Sequence, residues 1–203
     1  TILCIIPMIL SIFLYNKLPE KIPTHFNING EVDSYGSKLF VCILLPIILC
    51  MVNILLNIIL NNDPKKQNHN ETLLTICKFI IPLMSLIFIP SSILISLGFN
   101  INIAIIAPIF ISIIFILIGN YLPKCRPNYT MGIRLPWTLN NENNWIKTHR
   151  LSGFLWVISG LILLLTTLIN KNLSFYVLII SIILTVIIPC IYSFILYKKS
   201  KRT

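Results

Sequence analysis

Six apolar runs constrain this chain more than any other feature. They cover approximately residues 2–18, 39–60, 79–97, 101–118, 151–169 and 173–197. Crossing a hydrocarbon core of about 30 Å takes roughly 20 helical residues, and each run meets or approaches that length. Lipid offers no partner to backbone N–H and C=O groups, so lipid-facing runs of this kind fold as helices. Strands of a membrane barrel would be about half as long and would alternate apolar with polar residues. These runs do not alternate. Only 11% of the 203 residues are charged, too few to coat a soluble domain. The expected fold is therefore an all-α polytopic membrane protein, a bundle of six transmembrane helices. The first run is the weakest, and with no basic stretch before it and no small-residue cleavage site after it, it does not read as a signal peptide.

The charges orient the bundle. Of the 16 basic residues, 12 fall in the loop after the second run, the loop after the fourth, and the C-terminal tail, which holds Lys198, Lys199, Lys201 and Arg202. Only Lys17, Lys21, Lys38 and Lys171 lie on the other side. Basic residues stay in the cytoplasm, which places both termini and the long 119–153 loop inside and the 18–38 loop outside. The outer loop holds the acids Glu20, Glu31 and Asp33. The net charge of +10 gathers beside membrane runs, as surface anchors do, so no direct nucleic-acid partner is expected. Along the sequence we expect an N-terminal membrane module, 1–60, carrying the outer loop 18–38, and a second, 61–203, carrying the loop 119–153.

Inside the runs the chemistry is sparse. None holds a deep Asp, Glu, Arg or His, which counts against a proton-coupled transporter. Pro7, Pro46, Pro82, Pro90, Pro108 and Pro189 are expected to shape or hinge the helices. Ser152, Ser159 and Thr166 recur every seven residues beside Gly153, Gly160 and Thr167. This stripe of small residues would let a second helix approach closely, from within the chain or from another copy. Asn53 and Asn57 share one face and are expected to bond to a neighbouring helix or to line a polar path. The six cysteines form no CxxC pair and read as small buried hydrophobes. No cofactor, metal ligand set or catalytic motif is evident.

Two loops carry content. In the outer loop, Pro19 and Pro23 stop a helix and hold extended chain. The run His25 to Val32 reads as a hairpin around Asn29-Gly30, a pair that suits a type I′ turn, with Gly30 at the bend and His25 and Asp33 on its arms. In the 119–153 loop, the prolines and Gly132 exclude a long helix up to Pro136. Lys124, Arg126 and Arg134 among them suit either anionic headgroups or a partner's phosphate or carboxylate. Thr138 or Asn140 is expected to cap a following helix, which places Trp145, His149, Ser152 and Trp156 on one face and continues into the fifth run.

The segments GNYLPKCRPNYTMGIRLPWTL and NWIKTHRLSG resemble the SdpI family, immunity proteins for the sporulation-delaying toxin. The outer loop LPEKIPTHFNINGEVDSYGSK resembles the domain of unknown function that commonly precedes that module. The positions that match are Asn120, Pro123, Asn128, Gly132, Ile133, Arg134, Pro136, Trp137, Thr138, Trp145, Thr148, His149, Arg150 and Gly153. The resemblance implies a bacterial plasma-membrane protein that is not an enzyme. It further implies immunity to a secreted peptide toxin outside and retention of a small repressor at the membrane inside. The motif positions, with Pro19, Pro23, His25, Gly30 and Asp33 outside, are the candidate partner surfaces. The competing reading is a pore or transporter for a neutral or peptide solute.

Overall fold

The computed structural model describes residues 1–201; Arg202, expected in the basic tail, lies outside them. The first run folds as helix α1 (Ile6–Leu14), flanked by 3-10 turns at Ile2–Cys4 and Tyr15–Lys17. Strands β1 (Lys21–Phe26) and β2 (Val32–Ser37) follow. Then come α2 (Leu45–Asn61), α3 (Glu71–Ser96), α4 (Ile103–Tyr121), α5 (Pro136–Leu139), α6 (Glu142–Ile169) and α7 (Lys171–Ser200). Among the described residues, five helices are long and apolar enough to cross a membrane: Phe40–Asn61, Glu71–Ser96, Ile103–Lys124, Glu142–Ile169 and Lys171–Ser200. The first run, Ile2–Lys17, is shorter.

Packing groups the chain into two units. Unit 1 comprises Thr1–Ile58 and Lys78–Ala107; unit 2 comprises Ile59–Cys77 and Pro108–Thr203. In unit 1, Leu18, Ile22, Val41, Cys42, Ile89 and Ile93 form the buried apolar cluster. The hairpin lies against it through Ile22, which has no exposed surface.

The hairpin forms where expected, with a different turn. Gly30 has φ +85°, but among the described residues no non-glycine residue has positive φ, so Asn29 does not take the type I′ conformation. Instead the Gly30 N–H reaches the Asn27 carbonyl and the Asn27 N–H reaches the Glu31 carbonyl, both at 2.9 Å. This is a type I turn followed by a glycine bulge. The Asn27 side chain selects it, because its Oδ1 accepts from the Asn29 and Glu31 N–H groups at 2.9 and 3.0 Å.

The prolines do not act alike. Pro7 stands in the first turn of α1, where no helical donor is lost, so it does not kink that helix. Pro46 follows a π-helical turn, Phe40–Leu44, in which the Leu45 N–H reaches back to the Phe40 carbonyl. The widened turn lies where the Pro46 ring would crowd the carbonyl four residues back. Pro82, inside α3, removes the helical donor for the Lys78 carbonyl. Asn53 of α2, fully buried, supplies one: its Nδ2 lies 3.0 Å from that carbonyl oxygen. Its Oδ1 accepts from Thr1 Oγ1 and from Asn57 Nδ2. Asn53 thus bridges α2 to α3 at the proline, and Asn57, one turn along α2, holds its side chain.

In unit 2 the small-residue stripe on α6 faces α4. A Cβ at Gly153 would stand 2.6 Å from the Gly119 carbonyl oxygen, and one at Gly160 would stand 2.8 Å from the Ser112 carbonyl oxygen. The close partner is therefore another helix of the same chain. α6 and α7 are joined through Asn170 alone, within the gap 170–172 that the fifth and sixth apolar runs leave between them. Asn170 ends one helix by its N–H to the Thr166 carbonyl and caps the next by accepting from Asn172 and Leu173 N–H.

Asn53→Leu should lower unfolding free energy by about 1–3 kcal/mol, because the Lys78 carbonyl loses its Asn53 donor in apolar surroundings. Thermal unfolding in detergent, compared with Asn57→Leu at the rim of the same bridge, measures it. The Asn57 change should cost less.

Candidate functional site

The polar segment of unit 2 begins later than its composition indicated. Asn120 lies on α4 and Pro123 in the 3-10 turn Leu122–Lys124, so irregular chain runs only over 125–135. Asn128, fully buried, organises this stretch. Its Oδ1 accepts from the Thr130 and Met131 N–H groups at 3.0 and 2.7 Å, and its Nδ2 donates to the Arg126 carbonyl at 2.8 Å. One asparagine thereby satisfies three backbone groups of a buried loop.

Pro136 opens the short α5, whose turn is pinned by Thr138 Oγ1. The hydroxyl accepts from the Leu135 N–H at 2.9 Å and donates to the Ile133 carbonyl at 2.7 Å. The cap of α6 is Asn141, whose side chain accepts from the Asn144 N–H; neither Thr138 nor Asn140 takes that place. Thr138 is committed to the preceding turn. As expected, α6 runs unbroken from the loop into the fifth apolar run.

Trp145 and His149, one turn apart on α6, fill the centre of the loop. Both are fully buried and their rings stack at 3.9 Å. Trp145 Nε1 donates to the Cys125 carbonyl at 2.8 Å. The Ile133 N–H donates to His149 Nε2 at 2.9 Å, which makes that nitrogen the acceptor. Nδ1 then carries the proton and donates to the Trp145 carbonyl at 2.8 Å. Both ring nitrogens are occupied, so the imidazole is a neutral strut with nothing left to bind a metal or move a proton. Gly132 is required beside it: its φ is +100°, and a Cβ there would overlap the His149 ring.

Two further contacts tie the motif to α7. Trp137 Nε1 donates to Ser193 Oγ at 2.9 Å while its ring packs on Phe194 and Tyr197 at 5.3 and 5.9 Å. Asn144 Nδ2 donates to the Ser193 carbonyl at 2.9 Å, and Thr148 Oγ1 donates to Asn144 Oδ1 at 3.0 Å.

The sequence reading missed the residue that clamps this loop from the other side. Asp63, just past α2, has a carboxylate with no exposed surface. Its Oδ2 accepts from the Tyr129 N–H at 3.0 Å, Thr130 Oγ1 at 2.7 Å and His69 Nε2 at 3.1 Å; its Oδ1 accepts from the Lys65 N–H at 2.7 Å. Asn68 continues the junction by donating to the Pro127 carbonyl at 2.7 Å. A lone acid three residues past the end of an apolar run, followed by Pro64, was the available signal. Burial alone would raise the Asp63 pKa, but the donors around it outweigh burial and hold it at about 2.

The positions of the loop and the start of α6 thus divide. Asn128, Thr138, Trp145, Thr148 and His149 are buried scaffold, whereas Arg134, Arg150, Arg126 and Lys124 point outward. Arg134 keeps its exposure while Nη1 donates to the Tyr129 carbonyl at 2.6 Å, which holds the guanidinium in place. In unit 1, Pro23 is buried, Pro19 is exposed at the helix end, and His25 Nδ1 meets Asp33 Oδ1 at 2.6 Å on the open face of the hairpin. Among the described residues no three His, Cys, Asp or Glu side chains gather as a metal site.

The model of the SdpI/YfhL protein family matches residues 124–193, and that of a domain of unknown function, DUF1648, matches residues 2–50. The chain is 27% identical over 189 residues to the "Immunity protein SdpI" of Bacillus subtilis (strain 168), covering 93% of this chain and 89% of the relative. No solved structure matches. The chain thus carries an SdpI-type segment preceded by a DUF1648 segment, as its motifs indicated.

Gly132→Ala should cost about 2–4 kcal/mol, since it combines an unfavourable backbone with a clash against a buried ring. Asp63→Asn should cost about 3 kcal/mol by opposing an amide to the surrounding donors. The depressed Asp63 pKa contributes stability that is complete above about pH 4 and is lost as pH falls towards 2. Unfolding followed against pH in detergent should show on the order of 2 kcal/mol lost across that window, and no such loss for Asp63→Asn.

Proposed function

We propose that this chain is a bacterial plasma-membrane immunity and signalling protein, without enzymatic activity. In this reading it confers resistance to a secreted peptide toxin and holds a small repressor at the cytoplasmic membrane surface through the motif loop. The observation that carries the reading is the similarity to an immunity protein, which runs through the outer hairpin and the motif loop alike. The architecture of the loop supports the second half. A buried polar network fixes the backbone, and the outward cations Arg126, Arg134 and Arg150 stand on that rigid frame. Guanidinium groups held in this way suit the carboxylates of a docking protein. In the same reading the charge bias puts both termini and this loop inside, with the hairpin outside.

A toxin-sensitive strain lacking its own immunity protein tests the first half: expression of this chain should restore survival under challenge with the sporulation-delaying toxin, and failure to protect overturns immunity. For the second half, Arg134→Ala should reach the membrane at normal levels and retain protection. Sedimentation of the repressor with membranes should fall roughly ten-fold, the loss of one charge-assisted contact. Unchanged sedimentation overturns the docking role.

A further inference from the structure

Unit 1 encloses a cavity of about 350 Å³ beneath the hairpin. Its walls come from β1, the π-helical turn with the start of α2, the middle of α3, and Ile103. Three departures from regular backbone converge on it. First, the π-helical turn Phe40–Leu44 contributes Phe40 and Val41; such turns are uncommon and recur at functional sites. Second, the β1–β2 register shifts between Pro23 and His25. This bulge lets the consecutive residues Pro23 and Thr24 both face the cavity, which a regular strand forbids. Third, Gly36 leaves room for Thr24: a Cβ there would stand 2.7 Å from the Thr24 methyl. Irregular backbone lowers stability, so its concentration around one void marks a shaped site.

The lining sets the ligand class. It is apolar apart from two hydroxyls, Thr24 and Ser92. The other serines of α3 donate to carbonyls: Ser85 to Cys4, Ser91 to Ile87 and Ser96 to Ile93. Among the described residues neither Ser92 nor Thr24 has a side-chain hydrogen-bond partner, so both remain available to a guest. The lining residues Phe40 and Met84 are themselves exposed on membrane-spanning helices, next in sequence to or one turn from the exposed apolar side chains Leu39, Leu44 and Leu83. The cavity is therefore continuous with the surface that meets hydrocarbon. Its size lies at the lower end of ligand pockets, suited to a single chain.

We infer that this cavity binds one hydrocarbon chain of an amphiphile taken up from the bilayer, with its carboxyl or ester oxygen accepting from the Thr24 and Ser92 hydroxyls. Two sources share that chemistry, a phospholipid acyl chain and a free fatty acid. The full chain is reconstituted in phosphatidylglycerol vesicles carrying a trace of either a diazirine-bearing phosphatidylglycerol or a diazirine-bearing palmitic acid. After irradiation, adducts are mapped by peptide mass spectrometry. Phe40, Phe88 and Leu49 should be labelled well above the lipid-facing Leu55 and Ile59, by one probe or both, and the more effective probe identifies the source. Ser92→Phe, which fills the cavity, should abolish pocket labelling, and Thr24→Val should reduce it about five-fold, the worth of one hydrogen bond. Labelling at Leu55 and Ile59 in the same samples should stay constant, which controls for folding and insertion. Pocket labelling no greater than at Leu55, or unaffected by Ser92→Phe, overturns the inference and leaves ordinary annular lipid.

Discussion

Every backbone polar group kept from water must find a partner inside the chain, and the specific features of this protein follow from that requirement. A helix satisfies its own groups, which is why the long apolar segments are helical. Where a proline or a loop breaks the helix, a side chain stands in. Asn53 serves the carbonyl that Pro82 deprives of a donor. Asn128 serves three backbone groups within the motif loop. His149 accepts from Ile133, and Asp63 accepts from Lys65 and Tyr129. These residues look functional because they are polar in an apolar chain, and their first duty is structural.

That duty alters the meaning of the motif loop. A conspicuous Trp, Thr, His and Arg together invite a chemical reading. The geometry gives the histidine no free nitrogen and gives the tryptophan and threonine fixed carbonyl partners. The arginines that stay exposed, Arg126, Arg134 and Arg150, are the ones the proposed docking role uses, and they stand on a loop too well bonded to rearrange cheaply. A rigid frame lowers the entropy lost on docking, because the cations are already placed. The hairpin is built on the same logic with fewer bonds, its turn closed by Asn27 and its arms by the exposed His25–Asp33 pair.

Much of this was legible from residue order. Apolar run length predicts the long helices, since a local pattern decides them. Seven-residue spacing of small residues predicts close packing of α6, because spacing maps directly onto a helix face. The motif segments led to the SdpI family, which the comparisons bear out. Other features were misread for identifiable reasons. Asn29-Gly30 resembles a type I′ turn, but the carboxamide of Asn27, two residues earlier, favours another geometry. Thr138 has the chemistry of a helix cap and is recruited by Ile133 and Leu135 instead. Asp63 escaped notice because its donors, Tyr129 and Thr130, lie more than 60 residues away.

The sequence by itself determined which segments are helical, which loops are polar and where small residues permit close approach, because hydrophobicity, period and side-chain size act over a few residues. Only the tertiary structure decided which polar side chains are consumed as struts and which stay available. That outcome depends on where donors and acceptors from distant segments meet once water is excluded. Gly132 shows the difference: its sequence position reads only as a break that excludes a long helix, and the fold makes it the residue small enough to let a backbone N–H reach the ring of His149.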